Sequence, residues 1–342
     1  MKILPNNSSL IYSGRIDLSD PFAIVWTYPG TFVRIKFKGT QLSIHVRNKH
    51  NYWNNYLGVV EGDAQTKLLL PKEGEATIEI PLQTTQDNIH EVTIFKRQDA
   101  CHELTILGFE INCNTDDECE LLEASPLPPR RIEVYGDSVS AGEVSEAVDY
   151  VAKSDPEHNG EYSNSWYSYA WIAARKLDAQ LHDIAQGGVA LLDNTGWYHE
   201  PDYIGMEHVW NKMRYDSSYG QVTEWDFSKY TPDIVIVAIG QNDSHPDDYM
   251  KTDYECEKAK NWRTHYRQFL AKLRETYPDA WIICCTTLLQ HDISWDMSIG
   301  QAVLDIADKK ISHCVFQRNG KATPGHLRIP EAEEMAEELC HY

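Results

Sequence analysis

The sequence predicts an α/β fold: a three-layer, doubly wound parallel sheet preceded by a β-sandwich of jelly-roll type. Three observations predict it. The first third reads as short alternating strands separated by Gly, Pro, Asp and Asn clusters. An acidic, proline-bearing stretch comes next, Asn112 to Arg130, with Pro126-Leu127-Pro128-Pro129 near its end. Beyond it, short apolar runs alternate with segments of helical length and period, the pattern of a parallel sheet covered on both faces. A chain of 342 residues has room for two domains with buried cores. We set these at residues 1–122 and 131–342, joined by a linker at 123–130.

In the first domain, Val33, Ile35 and Phe37 alternate with Arg34, Lys36 and Lys38. Leu42, Ile44 and Val46 alternate in the same way with Ser43, His45 and Arg47, and Gly39-Thr40 between the two runs reads as a hairpin turn. Residues 76–80, 91–95 and 104–111 read as further strands. In the second domain the apolar runs at 132–135, 181–185, 234–239, 281–287 and 312–316 have parallel-strand character. Helices are expected at 165–177, 256–277 and 299–309. A last helix runs from Pro330, which suits a first turn, and its early glutamates suit the N-terminal dipole.

Composition excludes several function classes. Apolar residues at 42% and charged residues at 24% are globular values, not those of a disordered chain. The balance of 31 basic against 52 acidic residues gives −21, which disfavours nucleic-acid phosphates and anionic membranes and favours solubility. No segment approaches the roughly eighteen consecutive apolar residues of a spanning helix. The first residues show no apolar signal region, so a cytoplasmic protein is expected. With eight scattered cysteines in such a setting, reduced thiols are expected, and Cys113 and Cys119 are expected to remain unpaired. No Cys/His spacing matches a metal site, and neither metal nor cofactor is expected. Oligomeric state is not legible, and a homo-oligomer is compatible with the chain.

The chemistry-bearing residues sit at strand exits. Gly136-Asp137-Ser138 comes directly after the run 131–135 and presents a serine at a sharp turn before a helix, as a nucleophile requires. Gly187-Gly188 and Gly240-Gln241-Asn242-Asp243 close two further strands, and His326 precedes the last helix. In a doubly wound sheet ligands bind beyond the carboxyl ends of the strands, so these residues gather on one rim. Each block also has a plain structural reading: glycines end strands, Gly187-Gly188 makes a turn, and Asn242-Asp243 caps a helix.

The four blocks, in this order, resemble those of the SGNH hydrolases over residues 130 to 342, and the preceding β-rich segment makes the whole resemble carbohydrate esterase family 2. The resemblance implies a serine esterase that removes O-acetyl groups from acetylated xylan fragments or related sugars through an acyl-enzyme. It assigns Ser138 as nucleophile and His326 as base. The Ser138 and Gly187 N–H groups and the Asn242 amide form the oxyanion hole, with Gly187 and Gly188 able to exchange roles. The implied partner is an acetylated carbohydrate. One departure stands out. The wider family has an Asp three residues before its His, where this chain has Thr323. The resemblance then implies a Ser–His dyad, with a backbone carbonyl of Ala322 or Thr323 holding the ring. The family 2 subgroup often has an aromatic residue just before this His, where this chain has Gly325, so no sugar-stacking wall is expected at that point.

Asp155-Pro156-Glu157-His158 offers a rival Asp-x-x-His spacing, but ahead of the Gly and Asn blocks; a plain loop is the weightier reading. Trp295, after the fourth strand of the second domain, is proposed as a sugar-contacting ring, against a core residue at a helix start. Two other functions are carried. One is a lipase or thioesterase of the same superfamily. The other is a non-catalytic carbohydrate-binding protein using Tyr52, Trp53 and Tyr56, whose plain reading is packing.

Overall fold

The computed structural model describes residues 1–85, 87–114 and 119–342. The chain divides into two compact units. The first comprises Met1–Leu127 with two short returns, Asn159–Glu161 and Met213–Thr223. The second comprises Pro128–His158, Tyr162–Lys212 and Glu224–Tyr342. The returns carry no composition shift, and sequence patterning alone does not anticipate them. Residues 115–118 of the acidic stretch lie outside the described residues.

The first unit is two antiparallel six-stranded sheets on one apolar core. One sheet is built around His102–Asn112 and Gln41–His50, the other around Phe32–Lys38 and Ile89–Lys96. The period-2 alternation is why they form: Val33, Ile35 and Phe37 point inward from one sheet, and Leu42, Ile44 and Val46 from the other. That same alternation accounts for a correction. Gly39-Thr40 is not a hairpin turn, because the strands it joins lie in different sheets. A chain crossing a sandwich shows the same inward period as one folding back on itself. Gly39 N–H instead donates to Asn88 O and Thr40 N–H to Asn112 O. Cys113 and Cys119 form a disulfide, against expectation. Strand ends bring their Cα atoms to 5.6 Å, inside bonding range. Tyr52, Trp53 and Tyr56 are half-buried, Tyr52 against the edge of Trp53 at 4.8 Å.

The second unit is built on a five-stranded parallel sheet, β1 Arg130–Gly136, β2 Ala179–Ala185, β3 Ile234–Ala238, β4 Trp281–Cys285 and β5 Ile311–His313. Their order is β2-β1-β3-β4-β5, which puts the topological switch point at β1. Pairing is in register at the carboxyl ends: Gly136 faces Ala185 and Ala238, and Ala238 faces Cys285. The loops leaving β1, β2 and β3 therefore emerge at one level. The helices are α1 Ser138–Ala141, α2 Tyr169–Lys176, α3 Glu257–Thr276, α4 Ile293–Ile306 and α5 Ile329–His341. Helix α4 begins six residues before the expected 299, because Asp292 caps it by accepting from Ser294 N–H. Among the described residues no helix is long and apolar enough to cross a membrane.

Phe37 is fully buried in the sandwich core. Phe37→Ala is expected to cost about 3–5 kcal/mol in the urea transition of the first unit, read by far-UV circular dichroism.

Candidate active site

Ser138 opens α1 directly after β1, and its residue is only 4% exposed. Asp137 is the N-cap: its carboxylate accepts from Val139 N–H at 3.0 Å. The other oxygen of Asp137 accepts from the Gln241 amide at 2.7 Å and the Asn242 amide at 3.2 Å. Asn242 also donates to Val189 O at 3.0 Å, and Asp243 accepts from Leu191 N–H. The exits of β1, β2 and β3 are thus stitched together by the amides of Gln241 and Asn242 and by two acids. Gln241 is itself held, its carbonyl accepting from Thr287 Oγ1 at 2.6 Å beyond β4. Of the two candidate glycines, Gly188 has the left-handed backbone, φ +76, so only it requires a glycine for conformation.

His326 arrives from the loop before α5. Its Nδ1 donates to Asp155 Oδ2 at 2.6 Å, and its backbone N–H donates to Asp155 Oδ1 at 2.9 Å. A carboxylate, not a backbone carbonyl, orients the ring, so the expected dyad is corrected. The acid comes from 171 positions earlier in the chain. Thr323 instead pins the loop, its hydroxyl facing Lys153 O at 3.4 Å. Arg328 anchors the acid from behind, 2.9 Å from Asp155 Oδ1, and donates to His326 O. Gly325 has a physical cause as well: a Cβ there would meet Asp155 Oδ1 at 2.5 Å and Asp155 N at 2.8 Å. An aromatic residue before the histidine and an acid at 155 cannot occupy this space together.

The far side of the imidazole faces a second carboxylate. Glu143 Oε2 lies 3.9 Å from His326 Nε2, and Glu143 Oε1 lies 3.2 Å from His158 Nε2. Glu143 N–H donates to Ser138 O at 2.9 Å, just past the left-handed C-cap Gly142, which ties it to the serine turn. Burial opposes a positive His326, but Glu143, Asp155 and Asp137 overcome it and raise its pKa to about 9. For Asp155, burial is likewise outweighed by His326 and Arg328, which hold its carboxyl well below the usual carboxylate range. Burial together with the His326 charge lowers His158 to about 4, so it is neutral near pH 7. Burial raises Asp137 to about 6, against its donors and His326.

The structure therefore brings Asp137, Asn242 and the 187–191 loop together, and joins His326 to Asp155, Glu143 and the serine turn. It does not bring Trp295 to the rim. That ring is fully buried, packed against Trp262 at 5.5 Å and Tyr249 at 5.4 Å, with its N–H on Asp248. Sequence reasoning missed Asp155 and Glu143 as partners of His326. The Asp-x-x-His spacing at 155–158 was the one available signal, and it pointed to the wrong histidine.

Comparison with known proteins agrees with this architecture. A family model described as the carbohydrate esterase 2 N-terminal domain matches residues 12–117. A cellulase/esterase CelE of Acetivibrio thermocellus is 29% identical over 98% of this chain, which spans 39% of that protein. An acetylxylan esterase/glucomannan deacetylase of Cellvibrio japonicus is 27% identical over 79% of this chain and 69% of its own length. The structure of a family two carbohydrate esterase from Clostridium thermocellum with cellohexaose superposes with a TM-score of 0.80 at 25% identity, covering 97% of both chains. By its match to that N-terminal domain over residues 12–117 and by likeness along nearly its whole length, the chain is similar to the family 2 carbohydrate esterases.

Proposed function

We propose that the protein is a serine esterase that removes O-acetyl groups from acetylated xylan fragments or related acetylated sugars. The observation that carries this reading is the Asp155–His326 pair, bonded through Nδ1 at 2.6 Å and tied through Glu143 to the turn that bears Ser138. In this reading Ser138 Oγ attacks the acetyl carbonyl and His326 Nε2 takes its proton. The same nitrogen then protonates the departing sugar oxygen, leaving acetyl on the serine until water removes it. Asp155 fixes the tautomer with Nε2 open and supports the imidazolium, as the acid of a triad does. Ser138 and Gly187 N–H groups and the Asn242 amide hold the oxyanion. Both Asn242 amide hydrogens are engaged in the resting protein, so this donation takes the one now on Asp137.

The first unit is read as a jelly roll, supported by its two antiparallel sheets around a shared core. The Cys113–Cys119 bridge favours an oxidising compartment over the cytoplasm.

Ser138→Ala is expected to lower kcat on an acetylated xylo-oligosaccharide by at least about 10⁴-fold, and Asn242→Ala by roughly 10²–10³-fold. Acetate release by the variants measures both; a Ser138→Ala protein as fast as wild type removes the reading.

Because the resting imidazole holds its proton up to about pH 9, kcat/KM is expected to climb between pH 6 and 9. In Asp155→Asn the inflection moves to lower pH, while the rate at the plateau falls by on the order of 10²–10⁴-fold. Stability has the matching sign. The His326 pKa is raised above its unfolded value of about 6.5, so its contribution is full below that pH and is lost as pH rises through about 9. His326→Gln should therefore cost more stability at pH 6 than at pH 9.5 in urea titrations.

A further inference from the structure

Asn242 can hold an oxyanion only by giving up a hydrogen bond that it already makes. One amide hydrogen is on Val189 O at 3.0 Å and the other is on Asp137 Oδ2 at 3.2 Å. The longer bond is the one to exchange. Asp137 is fully buried, and a carboxylate oxygen left bare in such a place is costly. Whatever stays on Asp137 Oδ2 therefore decides how readily Asn242 leaves it.

Gln241 is placed to stay. Its Nε2 donates to the same oxygen at 2.7 Å. An amide presents a donor and an acceptor at nearly the same reach, so its orientation has to be set from its other end. Thr287 Oγ1 sets it, donating to Gln241 Oε1 at 2.6 Å. The Thr287 oxygen in turn accepts from Leu289 N–H at 3.2 Å, which leaves the hydroxyl hydrogen for Gln241. Thr287 is fully buried and Gln241 is 5% exposed, so bulk water is a poor competitor at either end. Asp137 Oδ1 is held separately by Val139 N–H at 3.0 Å. Burial raises the Asp137 carboxyl to about 6, against Val139 N–H and the Gln241 amide, so above that pH it is a carboxylate that needs donors.

Resting on the esterase reading above, we propose that Gln241 is a positioning residue for the oxyanion hole: it keeps Asp137 Oδ2 bonded while the Asn242 hydrogen on that oxygen passes to the substrate's oxyanion. Thr287 is its support, holding the amide with its nitrogen towards the acid. Both act through Asn242, and neither is given a contact with substrate. Without Gln241, Asn242 is the one side-chain donor to Asp137 Oδ2 among the described residues, and drawing it away strips that oxygen.

The test is a double-substitution cycle read as kcat and kcat/KM for acetate release from an acetylated xylo-oligosaccharide. Gln241→Leu, close in size but without the amide, is expected to lower both by roughly 10- to 100-fold in the otherwise wild-type protein. In the Asn242→Ala background, where no amide remains to be freed, the same change is expected to cost less than about threefold. A general loosening of the rim costs the same in both backgrounds, so equal losses overturn the inference. A Gln241→Leu protein as fast as wild type overturns it too. Thr287→Val repeats the comparison from the other end of the amide, and it decides the matter where Gln241→Leu does not fold. Thr287→Ser keeps the hydroxyl and is expected to recover most of the Thr287→Val loss; no recovery counts against the inference. The esterase reading survives all of these failures. An Asn242→Ala protein as fast as wild type removes the oxyanion role of Asn242 and this inference together, and a wild type inactive on every acetyl ester removes the esterase reading as well.

Discussion

A single carboxylate, Asp155, sets the conditions for everything else at this rim. It accepts from the ring and from the backbone of the same histidine, at 2.6 and 2.9 Å, and is itself braced by Arg328. Two bonds to one residue fix both the rotation of the imidazole and the path of the loop that carries it. A ring held only through Nδ1 could still tilt with its backbone. Here the backbone is clamped by the partner oxygen, so Nε2 has a defined direction before any substrate arrives.

The electrostatics around the imidazole then arise from crowding rather than from exposure. Three carboxyl groups, from Asp137, Glu143 and Asp155, act on one imidazole that is about one-fifth exposed. Burial alone would drive the ring neutral, and the summed negative charge wins. The neighbouring His158 shows the opposite balance. It touches one of the same carboxylates, yet burial and the charge on His326 keep it neutral. Two histidines on either side of Glu143 are thereby pushed to opposite protonation states.

The parallel sheet was legible because its strands are continuous apolar runs and its helices have clear period. Strand exits placed Ser138, Gly187 and Asn242 on one level, and the in-register pairing of β1, β2 and β3 is the geometry behind that. Anything that depends on long-range pairing of polar groups could not be read. Alternation in the sandwich said which side chains face inward, but not which strand pairs with which, hence the misplaced hairpin at Gly39-Thr40. Position after a strand alone points Trp295 to the rim. Its burial against Trp262 depends on α3 and α4 packing together, which no local pattern states. The expectation of unpaired Cys113 and Cys119 rests on compartment, which concerns surroundings and not distance. Asp155 was visible as an acid three residues before a histidine; that it serves another histidine is a fact of the fold.

Gly325 and Asp155 are best understood as two halves of one arrangement. The space a side chain at 325 would fill holds the Asp155 carboxylate and backbone and the Lys153 carbonyl, with contacts of 2.5 to 2.9 Å to any added Cβ. Only glycine lets the 322–326 loop lie against Lys153 and Asp155 closely enough for His326 N–H to reach the acid. Thr323, standing where a local acid is expected, contributes a hydroxyl to that same close packing. With the charge supplied from position 155, a side chain at 325 would collide with it.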